Sequence, residues 1–244
     1  MDWHKRYVQQ AVWTKDLRTY LFRRTGLETA RRVLEVGCGT GAILSDLDTP
    51  VSIHGVDLEP VRLLEAHLHA PEAILSCGDA LSLPFASAVF DITFCHFLLL
   101  WVREPLQALC EMKRVTRPGG SILALAEPDY ISRVDKPDEL ASLGCWQAES
   151  LHRQGADPGL GRRLAHLFRQ AGLALIETGS LRSDQEHPPE PADRALEWAV
   201  LEADLAGMVQ PEEIQRLRKL DERAWQRGER VLNVPVYWAF GISG

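Results

Sequence analysis

Residues 33–44 read Val-Leu-Glu-Val-Gly-Cys-Gly-Thr-Gly-Ala-Ile-Leu, and this stretch decides the fold. A short apolar run with one acid leads into glycines at three alternate positions, Gly37, Gly39 and Gly41. Because glycine carries no side chain, a ligand can approach this backbone closely at the carboxyl end of a strand. The residues that follow favour a helix beginning near Thr40. The stretch predicts a binding loop for a nucleotide-like cofactor.

The acid in this stretch, Glu35, distinguishes two classes of cofactor. The spacing Gly37-x-Gly39-x-x-Ala42 also fits the template of dinucleotide-binding enzymes, so the glycines alone do not decide. A pyrophosphate beside the Glu35 carboxylate is electrostatically unfavourable, whereas an ammonium or a sulfonium is attracted to it. The acid therefore favours a cationic cofactor. An NAD-linked oxidoreductase is the alternative.

Further segments follow the glycine loop in a fixed order. They are a strand ending in an acid, a strand ending in Gly-Asp-Ala, a fourth strand, a helix, a turn and a fifth strand, at residues 51–57, 73–80, 89–96, 104–115, 117–120 and 121–127. From residue 31 to about residue 128, with a matching tail beyond, this series resembles the class I methyltransferases that use S-adenosylmethionine. In that family an acidic residue precedes a G-x-G-x-G loop, as Glu35 does here.

The resemblance implies S-adenosylmethionine as cofactor and S-adenosylhomocysteine as product. An acid at Asp57 can accept both ribose hydroxyls, because a carboxylate offers two oxygens. In the family the acid corresponding to Asp79 accepts a hydrogen bond from the adenine amino group, and the amide of the next residue, here Ala80, reaches the ring. The predicted cofactor-binding residues are Glu35, Gly37, Cys38, Gly39, Gly41, Asp57, Leu58, Asp79, Ala80, Cys95, Tyr7, Trp13 and Arg18.

The alternation of strands and helices predicts an α/β fold. We expect a seven-stranded, mostly parallel sheet with helices on both faces and, as in the resembling family, an antiparallel last strand. A chain of 244 residues favours a single domain over residues 1–244. Two parts lie outside the common core: an amino-terminal helical element at 1–30 and a helical insertion at 181–232, between strands six and seven.

The amino-terminal element is predicted as one helix over residues 3–24 that packs across the cofactor cleft. Tyr7, Trp13 and Arg18 are its candidate ligand contacts, Arg18 because a guanidinium suits the methionyl carboxylate of the cofactor. The alternative is that these three residues pack against the core or, in the case of Arg18, lie on the surface.

The insertion opens with the proline-rich run 187–191 and continues with two predicted helices, near 192–207 and 211–228. The first helix carries two apolar stripes, one of which includes Trp198, a candidate substrate contact. A helix that is apolar on two sides is usually enclosed between partners. The pair therefore forms a substrate lid, a subunit interface or a simple core-packing pair.

Few residues are needed for catalysis, because a methyl group on a sulfonium is already activated. The enzyme must hold an acceptor lone pair in line and exclude water, and a general base is needed only for an acceptor of high pKa. His96, after the fourth strand, is the weak candidate for that base. Glu127, Asp129 and Tyr130, after the fifth strand, are candidate substrate contacts, although the two acids alternatively fix the turn.

Composition limits the partners. The 34 acidic against 27 basic residues give a net charge of −7, which disfavours nucleic acid, so the expected acceptor is a small molecule. Five cysteines without paired spacing predict neither a disulfide framework nor a metal site. We expect a cytoplasmic protein without a membrane span, acting as a monomer or homodimer. A cofactor-binding protein without transfer activity is a third interpretation.

Overall fold

The computed structural model describes residues 2–181 and 189–244, and its centre is one sheet of seven strands. The strands are β1 Arg32–Val36, β2 Ser52–Asp57, β3 Ile74–Cys77, β4 Phe90–Cys95, β5 Thr116–Pro128, β7 Ala174–Leu181 and β9 Val236–Ile242. Their spatial order is β3-β2-β1-β4-β5-β9-β7. Strands β1 to β5 pair in parallel, and β9 runs antiparallel to both of its neighbours, β5 and β7. The predicted fold class is confirmed.

The helices are α1 Trp3–Trp13, α2 Lys15–Arg24, α3 Pro60–His69, α4 Pro105–Val115, α5 Ala141–Arg153, α6 Leu164–Gln170, α7 Pro191–Leu205 and α8 Pro211–Arg227. Neighbouring residues of a strand point to opposite faces of the sheet. Ile122 of β5 accordingly packs with α4 and α6, whereas Leu123 packs with α2 on the other face. The two-residue period of the strands thus builds a core on each side of the sheet.

The amino-terminal element differs from the single helix predicted over residues 3–24. Thr14 leaves the helical conformation, with φ −110° and ψ 6°, and so separates α1 from α2. Its hydroxyl donates to the carbonyl of Ala11, a local bond that competes with regular helix formation. The break allows the two helices to take different directions over the sheet.

The prediction of a helix beginning near Thr40 is wrong. Only a single 3-10 turn, Leu44–Asp46, follows the glycine loop before β2 begins at Ser52. Pro50 disfavours a helical conformation at the residue before it, and residues 42–51 are too few for a helix and a return to the sheet. The cofactor loop therefore has no long helix behind it.

A small second sheet was not predicted. Strand β6, Val134–Lys136, pairs antiparallel with β8, Val231–Asn233. This pairing ties the segment after β5 to the segment before β9. It brings α5, α7 and α8 together around one apolar cluster: Leu140, Leu143, Trp198, Leu201, Leu205, Ile214 and Leu217. The described part of the insertion is therefore a helical layer with its own small core, and residues 187 and 188 of the proline-rich run lie outside the described residues.

None of the helices formed by residues 2–181 and 189–244 combines the length and the apolar character needed to cross a membrane.

Candidate functional site

The glycine loop at the carboxyl end of β1 adopts a conformation that depends on its glycines. Gly37, Gly39 and Gly41 have φ values of 75°, 52° and 80°, in the left-handed region that side chains disfavour. A Cβ atom on Gly41 would lie 3.2 Å from the backbone of Ala66, so this glycine also allows α3 to approach. The sequence prediction of a tight, open loop matches this geometry.

Asp57, at the end of β2, fixes the glycine loop through hydrogen bonds to the backbone. Its Oδ2 accepts the N–H of Gly39 at 2.8 Å, and its Oδ1 accepts the N–H of Glu59 at 2.9 Å. An ionised carboxylate has about four acceptor positions, so both oxygens retain capacity for a ligand hydroxyl. The ribose contact of Asp57 stays a prediction, now with a structural role beside it.

Glu35 is the most unusual polar group of the site. Its side chain is buried, and its Oε2 has no hydrogen-bond partner among the described residues. Burial raises the pKa of Glu35 well above its ordinary value; the positive charge of Arg18 lowers it and the carboxylate of Asp57 raises it. Buried polar atoms in native proteins nearly always have a hydrogen-bond partner, so an unpaired one indicates a position where a ligand can bind. The ammonium group of S-adenosylmethionine fits this position by charge and by hydrogen bonding.

The predicted adenine-binding residues follow β3 on the surface. Asp79 is exposed, and its Oδ1 accepts the N–H of Leu81 at 2.9 Å, which leaves Oδ2 without a described partner. Leu58 is 60% exposed, directly after Asp57. Ala80 is half-buried beside Asp79. The three lie at the strand ends where open α/β sheets bind ligands.

The two predicted cysteines are buried and lack the surroundings of a reactive thiol. Burial raises the pKa of Cys38, and the charges of Glu35 and Asp57 raise it further. Burial likewise raises the pKa of Cys95 well above its ordinary value. A thiol with a raised pKa is a poor nucleophile at neutral pH. Both residues serve as small packing groups at the edge of the site.

Helix α1 lies against the glycine loop, as predicted. His4 Nδ1 is 2.8 Å from the hydroxyl of Thr40, and the His4 ring stacks on the ring of His69 with centroids 3.4 Å apart. The ring of Tyr7 lies beside Gly39, where a Cβ atom would contact Tyr7 at 3.3 Å. Tyr7 is therefore in place to border a ligand held by the loop.

Trp13 and Arg18 are placed differently from Tyr7. Trp13 is partly exposed, stacks with the guanidinium of Arg6 and lines a cavity beside the sheet. Arg18 is buried and donates to Asp46 at 2.9 Å and to the carbonyl of Ala11 at 2.9 Å. A carboxylate of the chain thus already pairs with Arg18. Its predicted bond to the methionyl carboxylate stays a prediction, with Asp46 as the competing partner.

A cavity of about 420 Å³ lies beside the carboxyl ends of β4 and β5, covered by α1 and α7. Its apolar wall includes Trp13, Phe97, Pro128, Tyr130, Leu143, Trp198, Leu201 and Trp225. A volume of this size suits a small-molecule ligand. The predicted substrate contacts Tyr130 and Trp198 both line this cavity, although the indole N–H of Trp198 already donates to Asp221 at 2.9 Å.

The two predicted acids after β5 do not line the cavity. Glu127 is fully buried and accepts the backbone N–H groups of Leu98, Leu99 and Leu100 at 3.1, 2.9 and 3.1 Å. Asp129 forms a two-point ion pair with Arg162 at 2.7 and 2.8 Å. For both residues the structure supports the alternative named from the sequence: they fix the turns next to the site.

His96 is a weak base in this structure. Burial, together with the positive charge of Arg18, lowers its pKa to about 3. Its Nε2 is 2.9 Å from the hydroxyl of Thr14, so the ring links β4 to the break between α1 and α2. A base of such low pKa holds little affinity for a proton near neutral pH. The geometry favours a packing role.

Sequence reasoning missed the polar side of the cavity: Arg6, Gln9, Arg133, Gln147, Arg194 and Arg230. Arg6 and Gln9 are both buried on α1. Their spacing of three residues, which places both on one helix face beside Trp13, is the signal that was available. Of the other four, Arg133 and Arg230 adjoin the paired strands β6 and β8, whereas Gln147 lies on α5 and Arg194 on α7.

Comparison with known proteins identifies a family match over the first five strands. Residues 34–124 match the family described as "Methyltransferase domain". A demethylmenaquinone methyltransferase of Beutenbergia cavernae is 36% identical over 99 residues, covering 40% of this chain and 41% of the relative. The chain spans about half the length of the curated relatives it matches.

Solved structures share the fold across nearly the whole chain. The protein BH2331 of Bacillus halodurans C-125 has a TM-score of 0.64 at 16% identity, covering 92% of this chain and 97% of that one. Phosphoethanolamine N-methyltransferase 2 of Haemonchus contortus, solved in complex with S-adenosyl-L-methionine, has a TM-score of 0.58 at 16% identity, covering 93% of this chain and 52% of that one. At these identities the likeness establishes the fold.

Proposed function

Because residues 34–124 form a class I, Rossmann-like methyltransferase domain, we propose that this protein transfers a methyl group from S-adenosylmethionine to a small-molecule acceptor. The observation that carries the proposal is the unpaired, buried Oε2 of Glu35 beside a loop of three left-handed glycines. A pyrophosphate would bring negative charge to that oxygen, which disfavours the NAD-linked alternative. An ammonium would satisfy it.

S-adenosylmethionine, when bound, supplies a methyl group that is already activated on a sulfonium. In this proposal Glu35 binds the ammonium, Asp57 the ribose and Asp79 the adenine. The bond from the Gly39 N–H to Asp57 supports it, because it fixes the glycine loop beside that carboxylate. The cavity beside α1 and α7 holds the acceptor and keeps water away from it. Orientation and exclusion of water are the main contributions of the chain.

The acceptor atom that suits this cavity has a lone pair available at neutral pH. Burial raises the pKa of Tyr130, so its hydroxyl stays protonated, and the low pKa of His96 makes that ring a poor base. The acids that line the cavity are bonded to neighbouring side chains: Asp193 to Gln9, Glu197 to Arg6 and Asp221 to Arg230. Carboxylates, which are already deprotonated at neutral pH, fit better than alcohols or ammonium groups, which must first lose a proton.

The proposal is tested by titration followed by a search for product. Calorimetric titration with S-adenosylmethionine, S-adenosylhomocysteine and NADH should show binding of the first two and none of the third. Incubation with S-adenosylmethionine and a metabolite extract, followed by mass spectrometry, should reveal a molecule heavier by one methylene. Binding without any methylated product would favour the cofactor-binding protein without transfer activity, and NADH binding would favour the oxidoreductase.

A further inference from the structure

The cavity beside α1 and α7 is unusually rich in arginine for an apolar pocket. Four guanidinium groups line it: Arg6, Arg133, Arg194 and Arg230. A guanidinium stays charged in proteins and is costly to bury without a partner. We therefore ask of each of these four guanidinium groups whether a carboxylate of the chain pairs with it.

Three of the four arginines are neutralised by acids of the chain. Arg6 pairs with Glu197 and also donates to Gln9 at 2.6 Å. Arg133 forms a two-point pair with Asp135, at 2.7 and 3.0 Å.

Arg230 donates to Asp135 at 2.7 Å and to Asp221, which also accepts the indole N–H of Trp198. Asp221 and Asp135 are buried, so this network lies within the helical layer. Its hydrogen bonds hold Arg230 and Arg133 against the cavity wall. Both guanidinium groups are therefore already paired with carboxylates of the chain and are not available to pair with a charged ligand.

Arg194 is the exception among the described residues. It lies in the first turns of α7 and lines the cavity, and its Nε is buried without a hydrogen-bond partner. No ion pair joins it to any described acid. Its neighbour in sequence, Asp193, is exposed and bonded to Gln9, and adjacent residues of a helix do not face each other. Arg194 is therefore the one cavity-lining guanidinium without an acid partner among the described residues, while the Asp193 carboxylate lines the same cavity and is bonded to Gln9.

We propose that the small-molecule acceptor is a carboxylic acid with an apolar body, whose carboxylate pairs with Arg194. The inference rests on the proposed function and names its substrate class. The planar fork of a guanidinium matches a carboxylate with two parallel hydrogen bonds. The aromatic wall, with Trp13, Phe97 and Tyr130, then covers the apolar body. This arrangement satisfies the unpaired Nε and fills the apolar space in one step.

One unpaired guanidinium selects a singly charged group. A phosphate monoester carries close to two negative charges at neutral pH and would need a second free cation, while Arg6, Arg133 and Arg230 are already paired with acids. A cationic amine without a carboxylate would bring a second positive charge beside Arg194. A monocarboxylate therefore matches Arg194, the lining guanidinium without an acid partner among the described residues, better than either.

Binding measurements on the full chain, saturated with S-adenosylhomocysteine, test the proposal without requiring turnover. The probes are octanoate, decanoate, phenylacetate and indole-3-acetate, each compared with its primary amide, and inorganic phosphate as a competitor. In the wild type at least one acid should bind about tenfold or more tightly than its amide. Arg194→Gln should bring that ratio close to one while leaving amide affinity unchanged, and Arg194→Lys should retain part of the preference.

Arg223→Gln provides the matched control, because Arg223 is exposed on α8 and its removal changes the net charge equally. This control should keep the acid preference of the wild type. The proposal is overturned if no acid binds better than its amide, if Arg194→Gln weakens acid and amide equally, or if phosphate competes as well as the acids. Failure of S-adenosylhomocysteine to bind at all would instead contradict the proposed function.

Discussion

At the scale of single residues, position on a strand end does not decide the role of an acid. Glu35, Asp57 and Glu127 all follow or close a parallel strand, yet their partners differ. Glu127 accepts hydrogen bonds from three backbone amides and Asp57 from two, whereas Glu35 Oε2 has no partner within residues 2–181 and 189–244. The number of carboxylate oxygens without a hydrogen-bond partner therefore distinguishes Glu35, a candidate ligand contact, from Asp57 and Glu127, which stabilise the fold.

A structural role for Glu127 makes a clear prediction. Glu127→Ala should lower the free energy of unfolding by roughly 3 kcal/mol or more, because three buried amides lose their acceptor. Urea unfolding followed by circular dichroism measures this, with Glu139→Ala, at an exposed position, as the control. A Glu127→Ala mutant of normal stability that is impaired only in binding an acceptor would contradict the structural role and support Glu127 as a substrate contact.

The stacked pair of His4 and His69 predicts that binding at the glycine loop depends on pH. Burial lowers the pKa of His4 below 6.5, the charge of His69 lowers it further, and Glu65 and Asp2 oppose the shift. Since the docked His4 favours the neutral form, docking of α1 is fully favourable above the ordinary histidine pKa and weakens as pH falls through 6.5.

We expect the affinity of the wild type for S-adenosylhomocysteine to fall between pH 8 and pH 5.5, and His4→Asn to make this fall smaller, leaving the part that Glu35 contributes. Titration at several pH values measures both. His67→Gln, on the same helix as His69 but outside the stack, is the control and should follow the wild type. Identical pH profiles for His4→Asn and the wild type would remove His4 from the coupling.

At the scale of elements, helix α7 contributes both to the apolar cluster with α5 and to the wall of the cavity. Trp198, Leu201 and Leu205 pack in the cluster with α5, while Trp198 and Leu201 also reach the cavity wall. The contacts of α7 thus combine the core-packing and the substrate interpretations drawn from its stripes. We propose that the insertion governs the choice of acceptor, separately from the cofactor loop.

Substitution of Trp198 tests that separation. Trp198→Phe removes the indole N–H that binds Asp221, so we expect a loss of about 1–2 kcal/mol of stability and a weaker hold on acid probes in the cavity. Affinity for S-adenosylhomocysteine should stay within about threefold of the wild type. Trp146→Phe, in the same cluster but not lining the cavity, is the control. A larger cofactor effect from Trp198→Phe than from Trp146→Phe would contradict the separation.

At the scale of the whole molecule, local signals and long-range ones were predictable to different degrees. The left-handed conformation at Gly37 was predictable from a short motif, because it depends on neighbours close in sequence, and the mostly parallel sheet with an antiparallel last strand was predictable from the family resemblance. The pairing of β6 with β8 and the clustering of Arg133, Arg194 and Arg230 depend on segments far apart in the chain. No local periodicity carries that information, so the polar half of the cavity emerged only with the structure.

The central claim, that Glu35 receives the ammonium of the cofactor, predicts a proton linkage. Burial keeps the Glu35 carboxyl protonated well above its ordinary range, and an ammonium beside it would lower that pKa on binding. Binding of S-adenosylhomocysteine should therefore release a proton from Glu35 at a pH below the raised pKa, and affinity should increase with pH. Glu35→Gln removes both the charge and the proton.

Calorimetric titration of S-adenosylhomocysteine in two buffers of different ionisation enthalpy measures this directly. The wild type and Glu28→Gln, an exposed control, should release a proton on binding. Glu35→Gln should lose that release and bind about 10- to 150-fold more weakly, the effect of losing a charge-assisted hydrogen bond. Unchanged affinity together with unchanged proton release in Glu35→Gln would contradict the account.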